Sequence, residues 1–117
     1  MKINKKELTI EGLQKEYYFL HITDTHAGRE SLTRDGISAA ERLKEYVEYA
    51  NEERFSGVLL TGDIIDNPAP ENLTLLKMQL EALQVPYLYI PGNHDWAFAD
   101  DYHTDAAIRR IRTSVGI

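Results

Sequence analysis

The stretch Val58–Asp66, VLLTGDIID, decides which fold the sequence predicts. Its first four residues form an apolar run that is too short for a helix and suits a strand buried in a parallel sheet. The run leads directly into a Gly-Asp pair and a second Asp at residue 66. A buried strand that ends in carboxylates is typical of an open α/β sheet, in which ligands bind at the carboxyl ends of the strands.

Two other segments show the same pattern of a strand that runs into polar residues. Tyr17–Thr23 (YYFLHIT) precedes Asp24–His26 (DTH), and Tyr87–Ile90 (YLYI) precedes Gly92–Asp95 (GNHD). Because the carboxyl ends of parallel strands meet at one edge of a sheet, we expect these three polar clusters to converge in space.

Helical patterns separate these strands. Ser38 and Glu41 form a capping box that begins a first helix, a second helix is predicted from about Asn72 to Leu83, and Thr104 is placed to cap a third. The apolar residues that recur on one face of these helices are Ala39, Leu43, Val47, Ala50, Leu73, Leu76, Leu80, Leu83, Ala107, Ile108 and Ile111. Alternating strands and helices imply right-handed βαβ crossovers.

The N-terminal region carries a further strand pattern. Glu7–Glu11 (ELTIE) and Tyr17–Thr23 are separated by the short segment Gly12–Glu16, which predicts an antiparallel hairpin. The predicted fold is therefore an α/β domain with a mainly parallel sheet, βαβ crossovers and an N-terminal antiparallel hairpin. With 117 residues the chain has room for one domain, spanning residues 1–117.

Composition excludes several classes of protein. The chain has no cysteine, so a metal would be held by oxygen and nitrogen ligands. A net charge of −6 argues against a general nucleic-acid partner or an anionic membrane partner. No apolar run approaches the roughly 20 residues that span a bilayer, and Met1–Lys6 does not lead into a signal-peptide core. A cytoplasmic location is expected.

The converging clusters bring together ionisable and amide side chains that suit a metal. They are Asp24, His26, Asp63, Asp66, Asn93, His94 and Asp95. Four carboxylates at one sheet edge repel one another, and a divalent cation relieves this repulsion. Mixed oxygen and nitrogen ligands favour Mn, Fe or Zn. The alternative is that these residues are solvated loop residues or helix caps, which three such motifs at successive strand ends make the weaker interpretation.

The three motifs resemble the first three signatures of the calcineurin-like metallophosphoesterases. The resemblance rests on Asp24-x-His26, then a Gly-Asp-x-x-Asp motif, then a Gly-Asn-His-Asp motif, and it covers Phe19 to Asp95. It implies half of that family's α/β sandwich. It also implies a hydrolase that cleaves phosphomonoesters or phosphodiesters through a metal-activated hydroxide.

The resemblance further implies a role for each residue of the site. Asp24 and His26 would bind a first divalent metal, Asp63 would bridge it to a second, and Asn93 would bind that second metal. Gly62 and Gly92 would allow sharp turns off the strands through positive φ angles.

The remaining motif residues would act beside the metals. His94 would face the phosphate and stabilise developing charge or protonate the leaving oxygen. Asp95 would orient His94, and Asp66 would hydrogen-bond to a ligand without touching the metal.

The chain departs from the family pattern after the third motif. The family adds an isolated His and a Gly-His-x-His motif, and His103, the one later histidine here, is read as a loop residue. The domain is therefore read as truncated. The alternative function is a catalytically weak or inactive metal-binding fragment that holds only one metal. A second copy of the chain is one partner that would cover the sheet face left open.

Overall fold

The computed structural model describes residues 3–29 and 36–95. Strands and helices alternate along this part of the chain, which confirms the α/β class. The elements are β1 (Phe19–Ile22), α1 (Ala39–Glu53), β2 (Gly57–Leu60), α2 (Pro70–Ala82), β3 (Tyr87–Tyr89) and a 3₁₀ turn (Asn93–Asp95).

The three strands form one parallel sheet in the order β1-β2-β3. Leu59 at the centre of β2 pairs with His21 on one side and with Leu88 on the other. The carboxyl ends of all three strands therefore lie at the same edge, as the sequence predicts.

Both helices begin where local chemistry favours a helix start. The Ser38 hydroxyl accepts a hydrogen bond from the backbone N–H of Glu41 at 3.1 Å, so the predicted cap of α1 is confirmed. Helix α2 begins at Pro70, two residues before the predicted start, since a proline in the first turn loses no intrahelical hydrogen bond.

The core lies between the two helices and one face of the sheet. The buried apolar residues of that layer are Ile22, Leu43, Ala50, Val58, Leu60, Leu73, Leu76, Leu80 and Tyr89. The opposite face of the sheet is exposed at Phe19, Leu59 and Leu88. The sheet is thus covered by helices on one side only within the described residues.

The predicted N-terminal hairpin is wrong. Residues 7–11 form no strand, and β1 pairs with β2 in parallel. Leu8 is 89% exposed, so the alternating pattern of this segment meets no partner strand. Strand propensity reflects packing against neighbouring strands, and without them an apolar alternation does not produce a strand. The backbone before β1 instead meets the start of β2, where Ser56 N–H donates to the Tyr18 carbonyl at 2.7 Å.

The predicted third helix, with Thr104, Ala107, Ile108 and Ile111, lies outside the described residues, as does His103. Neither α-helix of residues 3–29 and 36–95 combines the length and apolar character that crossing a membrane requires.

Candidate metal centre

The first two motifs run side by side beyond the ends of β1 and β2. The backbone N–H groups of Asp24 and His26 donate to the carbonyls of Gly62 and Asp63, at 3.0 and 2.9 Å. These bonds extend the parallel pairing past the strands and hold the two polar segments together.

Three residues at this edge have left-handed backbones. The φ angles are 56° at Asp24, 48° at His26 and 52° at Asp63. For residues other than glycine this conformation costs about 1–2 kcal/mol each, and such strain clusters at functional sites. At these residues the backbone leaves the extended conformation, so successive side chains no longer point to opposite faces of the sheet. The side chains of Asp24, His26 and Asp63 therefore gather at its edge.

Asp24, His26 and Asp63 form one group with the spacing of metal ligands. One ligand atom from each lies within 4.8 Å of the other two. Asp24 is exposed while His26 and Asp63 are half-buried, so the group is open to solvent on one side. Two carboxylates and an imidazole suit Mn, Fe or Zn, so the residues fit the cation that the sequence predicts.

The two motif glycines let the second and third motifs approach closely. Gly62 has the expected positive φ of 101°. Gly92 does not have one, so that expectation is wrong for Gly92. A Cβ at Gly92 would lie 2.6 Å from the backbone nitrogen of Asp63, a distance that real Cβ atoms do not reach. Because Gly92 has no side chain, the loop that follows β3 can contact the loop that follows β2.

The third motif folds as a 3₁₀ turn that is anchored by a buried carboxylate. Asp95 is fully buried, and its two oxygens accept hydrogen bonds from the backbone N–H groups of Ile65 and Gly92, at 3.0 and 2.9 Å. Burial raises the pKa of Asp95, and the two N–H donors oppose the rise. Burial also raises the pKa of the Tyr89 hydroxyl, with a further contribution from the charge of Asp95.

Asp63 joins the second and third motifs. Its Oδ1 accepts a hydrogen bond from the backbone N–H of His94 at 2.8 Å. His94 follows Asn93, which is exposed at the start of the turn. The Asp63 carboxylate thus holds the backbone of the 3₁₀ turn that carries Asn93 and His94.

Asp66 faces two histidines. Its Oδ1 lies 3.4 Å from His26 Nδ1 and 3.9 Å from His94 Nδ1, and its carbonyl oxygen lies 2.7 Å from His94 Nδ1. The two imidazoles meet edge to face, with centroids 4.6 Å apart. The orienting role of Asp95 toward His94 stays a prediction, because the hydrogen bonds described for Asp95 go to backbone amides and the His94 ring contacts Asp66.

The sequence analysis missed two residues that border the site. Arg29 Nε lies 3.0 Å from Asp66 Oδ1. Asn72, buried in the first turn of α2, donates to the Asn67 carbonyl at 3.1 Å and lies against the position of a Gly28 Cβ. Neither residue belongs to a motif. A basic residue three positions after His26 was the one available signal for Arg29.

The fold and this edge of the sheet correspond to a known family. The sequence model of the calcineurin-like phosphoesterases matches residues 17–115, and the chain belongs to that family. The match spans all three motifs.

Two of the relatives have names that describe phosphodiesterases. The chain is 37% identical to a 3′,5′-cyclic-nucleotide phosphodiesterase of Nostoc sp., a match over 68% of this chain and 31% of that protein. It is 50% identical to a protein of Arcobacter nitrofigilis named "Probable glycerophosphodiester phosphodiesterase GpdQ", over 65% of this chain and 29% of that one. The chain spans less than a third of the length of either relative.

A crystal structure of a dimetal phosphatase from Danio rerio has the same fold. Its TM-score with this chain is 0.55 at 24% sequence identity, and the match covers 68% of this chain and 30% of that one. The chain thus corresponds to part of a larger phosphoesterase fold.

Proposed function

We propose that this chain is the metal-binding portion of a phosphodiesterase that hydrolyses phosphodiester bonds with the help of divalent cations. The observation that carries the proposal is the group formed by Asp24, His26 and Asp63, whose ligand atoms lie within 4.8 Å of one another. Family membership and two relatives with phosphodiesterase names support it.

The residues divide into cation ligands and a phosphate-facing group. Asp24, His26 and Asp63 would hold a first cation of Mn, Fe or Zn, and Asp63 with Asn93 would hold a second. A bound cation supplies Lewis-acid activation of water and of the phosphate. The protein contributes a fixed set of ligands on two paired backbone segments, which leaves little to reorganise when the cation and substrate bind.

His94 would act on the phosphate itself. Its Nδ1 lies 2.7 Å from the Asp66 carbonyl, and since a carbonyl only accepts, this nitrogen carries the proton of that hydrogen bond. Nε2 is then the ring atom that acts on the phosphate. It accepts a proton when the ring carries one proton, and it donates to the phosphate or the leaving oxygen when the ring carries two.

A second candidate function is a metal-binding fragment without useful turnover. Among residues 3–29 and 36–95, Asp24, His26 and Asp63 offer three ligands for a first cation. For the second cation we propose two ligands, Asp63 and Asn93. The chain spans less than a third of the relatives' lengths. Metal analysis separates the two functions, because two cations per chain support the enzyme and one supports the fragment.

The open face of the sheet suggests a further partner. Phe19, Leu59 and Leu88 are exposed there, and we propose that a second copy of this chain covers them in solution. The negative net charge gives no indication of a nucleic-acid partner.

The test of the proposed activity uses the Mn²⁺-loaded chain and bis(p-nitrophenyl) phosphate, with nitrophenyl phosphate as the monoester comparison. We expect release of nitrophenolate from the diester, and loss of release in Asp63→Asn, which weakens a ligand of both cations. Glu52→Gln, at an exposed position of α1, is the matched control and should keep the wild-type rate. A rate equal to that of Mn²⁺ alone would contradict the enzyme and leave the metal-binding fragment.

A further inference from the structure

One carboxylate stands behind both imidazoles of the site. Asp66 Oδ1 lies 3.4 Å from His26 Nδ1, and the Asp66 carbonyl lies 2.7 Å from His94 Nδ1. His26 Nδ1 is buried and makes no hydrogen bond within the described residues, so its 3.4 Å contact with the Asp66 carboxylate is electrostatic. The position of Asp66 therefore bears on the orientation of a candidate ligand and of the phosphate-facing histidine together.

Arg29 holds that carboxylate. Arg29 Nε lies 3.0 Å from Asp66 Oδ1, the same oxygen that faces the two histidines. The backbones of the pair are also fixed, because Asp66 N–H donates to the Ala27 carbonyl at 3.0 Å and Arg29 N–H donates to the His26 carbonyl at 3.1 Å. The ion pair thus joins the loop after β1 to the loop after β2 across the site.

The Arg29–Asp66 ion pair affects which tautomer His26 adopts, whereas the Asp66 backbone carbonyl faces His94 Nδ1 directly. A carboxylate or carbonyl opposite Nδ1 favours the ring form that carries its proton on Nδ1, which leaves the Nε2 lone pair available as a ligand or base. If the Asp66 side chain turns away, His26 loses the nearby negative charge that favours this form. Holding Asp66 in place therefore prepares His26 Nε2 for a cation.

We propose that Arg29 is a positioning residue of this centre, which fixes the Asp66 carboxylate and through it the tautomer and orientation of His26. The inference rests on the proposed function for its metal and its phosphate. The effect of Arg29 on the centre passes through its contact with Asp66.

The first test measures Mn²⁺ affinity by calorimetry. Arg29→Gln removes the ion pair at a side chain that is 46% exposed. We expect Mn²⁺ to bind about 10- to 100-fold more weakly, the range found when a partner behind a metal ligand is lost. Arg29→Lys retains the charge and should recover most of the affinity. Arg54→Gln, which removes an exposed arginine at the end of α1, is the control and should bind as the wild type does.

The second measurement needs neither metal nor turnover. Long-range ¹H–¹⁵N NMR of the metal-free chain at about pH 9, where imidazoles are neutral, reports which ring nitrogen carries the proton. We expect the Nδ1–H form at His26 and His94 in the wild type. In Arg29→Gln we expect a mixture of both forms at His26 and an unchanged His94, because the Asp66 carbonyl still faces His94 Nδ1. Wild-type tautomers and wild-type Mn²⁺ affinity in Arg29→Gln would overturn the proposal.

A double mutant separates an effect of Arg29 through Asp66 from an independent effect of Arg29 on Mn²⁺ binding. If Arg29 acts through Asp66, adding Arg29→Gln to Asp66→Asn causes no further loss of Mn²⁺ affinity. A further loss as large as that in the wild-type background would show an independent role and refute the positioning mechanism. Absence of hydrolysis with the tautomer effect intact would count against the proposed function alone.

Discussion

Gly92 shows how a single residue shapes this site without offering a ligand. A Cβ added at Gly92 would collide with the amide nitrogen and the carboxylate of Asp63 and with the Cα of Gly62, so the third motif lies directly against the second. This approach allows the His94 N–H to donate to Asp63. The sequence pattern identifies the glycine, but the reason for it is a contact between segments 30 residues apart, which only the folded chain reveals.

Gly92→Ala is therefore expected to destabilise the chain by about 1–3 kcal/mol, since a Cβ placed 2.6 Å from backbone atoms forces the two loops apart. Urea unfolding followed by circular dichroism measures the loss. Gly57→Ala is the comparison, because its Cβ would first meet the movable ring of Phe19, at 3.1 Å, and it should cost less. Equal stability of wild type and Gly92→Ala would contradict the contact.

At the scale of the elements, local chemistry predicted the helices well and the first strand pair poorly. Ser38 and Glu41 carry enough information to begin α1, because the capping bond joins residues three apart. The sequence of residues 7–11 has the alternating pattern that is typical of a strand, yet these residues form no strand. A strand takes its hydrogen bonds from a neighbour, so its formation depends on a partner that the segment itself does not specify.

The cap gives a prediction for α1. Ser38→Ala removes the acceptor for the Glu41 N–H and should lower the free energy of unfolding by about 1 kcal/mol. Ser38→Asp keeps an acceptor at the same position and should unfold at nearly the wild-type urea concentration. Thermal or urea unfolding provides the measurement, and an equal loss in both variants would argue against the capping bond as the cause.

For the whole molecule, the exposed face of the sheet is the feature that bears on association between chains in solution. Its helix-covered face is buried, while Leu88 on the other face is 58% exposed beside Leu59. Exposed apolar surface of this kind marks an interaction face. The continuous apolar run of β2 predicts a buried strand, but it does not reveal that the face carrying Leu59 is left uncovered by the helices.

This exposed face predicts concentration-dependent self-association. Leu88→Glu should weaken association by roughly tenfold or more, because burying a leucine side chain contributes about 1.5–3 kcal/mol. Sedimentation velocity over a concentration series measures the effect. Met78→Glu, on α2 and 60% exposed, is the control and should associate as the wild type does. A wild-type chain that stays monomeric at every concentration would refute the association.

The sequence by itself determined the α/β class, the N-terminal cap of α1 and the set of candidate ligands, because these depend on residue type and short spacing. Asp24, His26 and Asp63 are readable as a group from three motifs that each follow a strand. The tertiary structure decided how the motifs meet: the close approach at Gly92, the burial of Asp95 and the ion pair of Arg29 with Asp66. These features join residues distant in the chain, and their energies come from packing and burial that arise only when the strands pair.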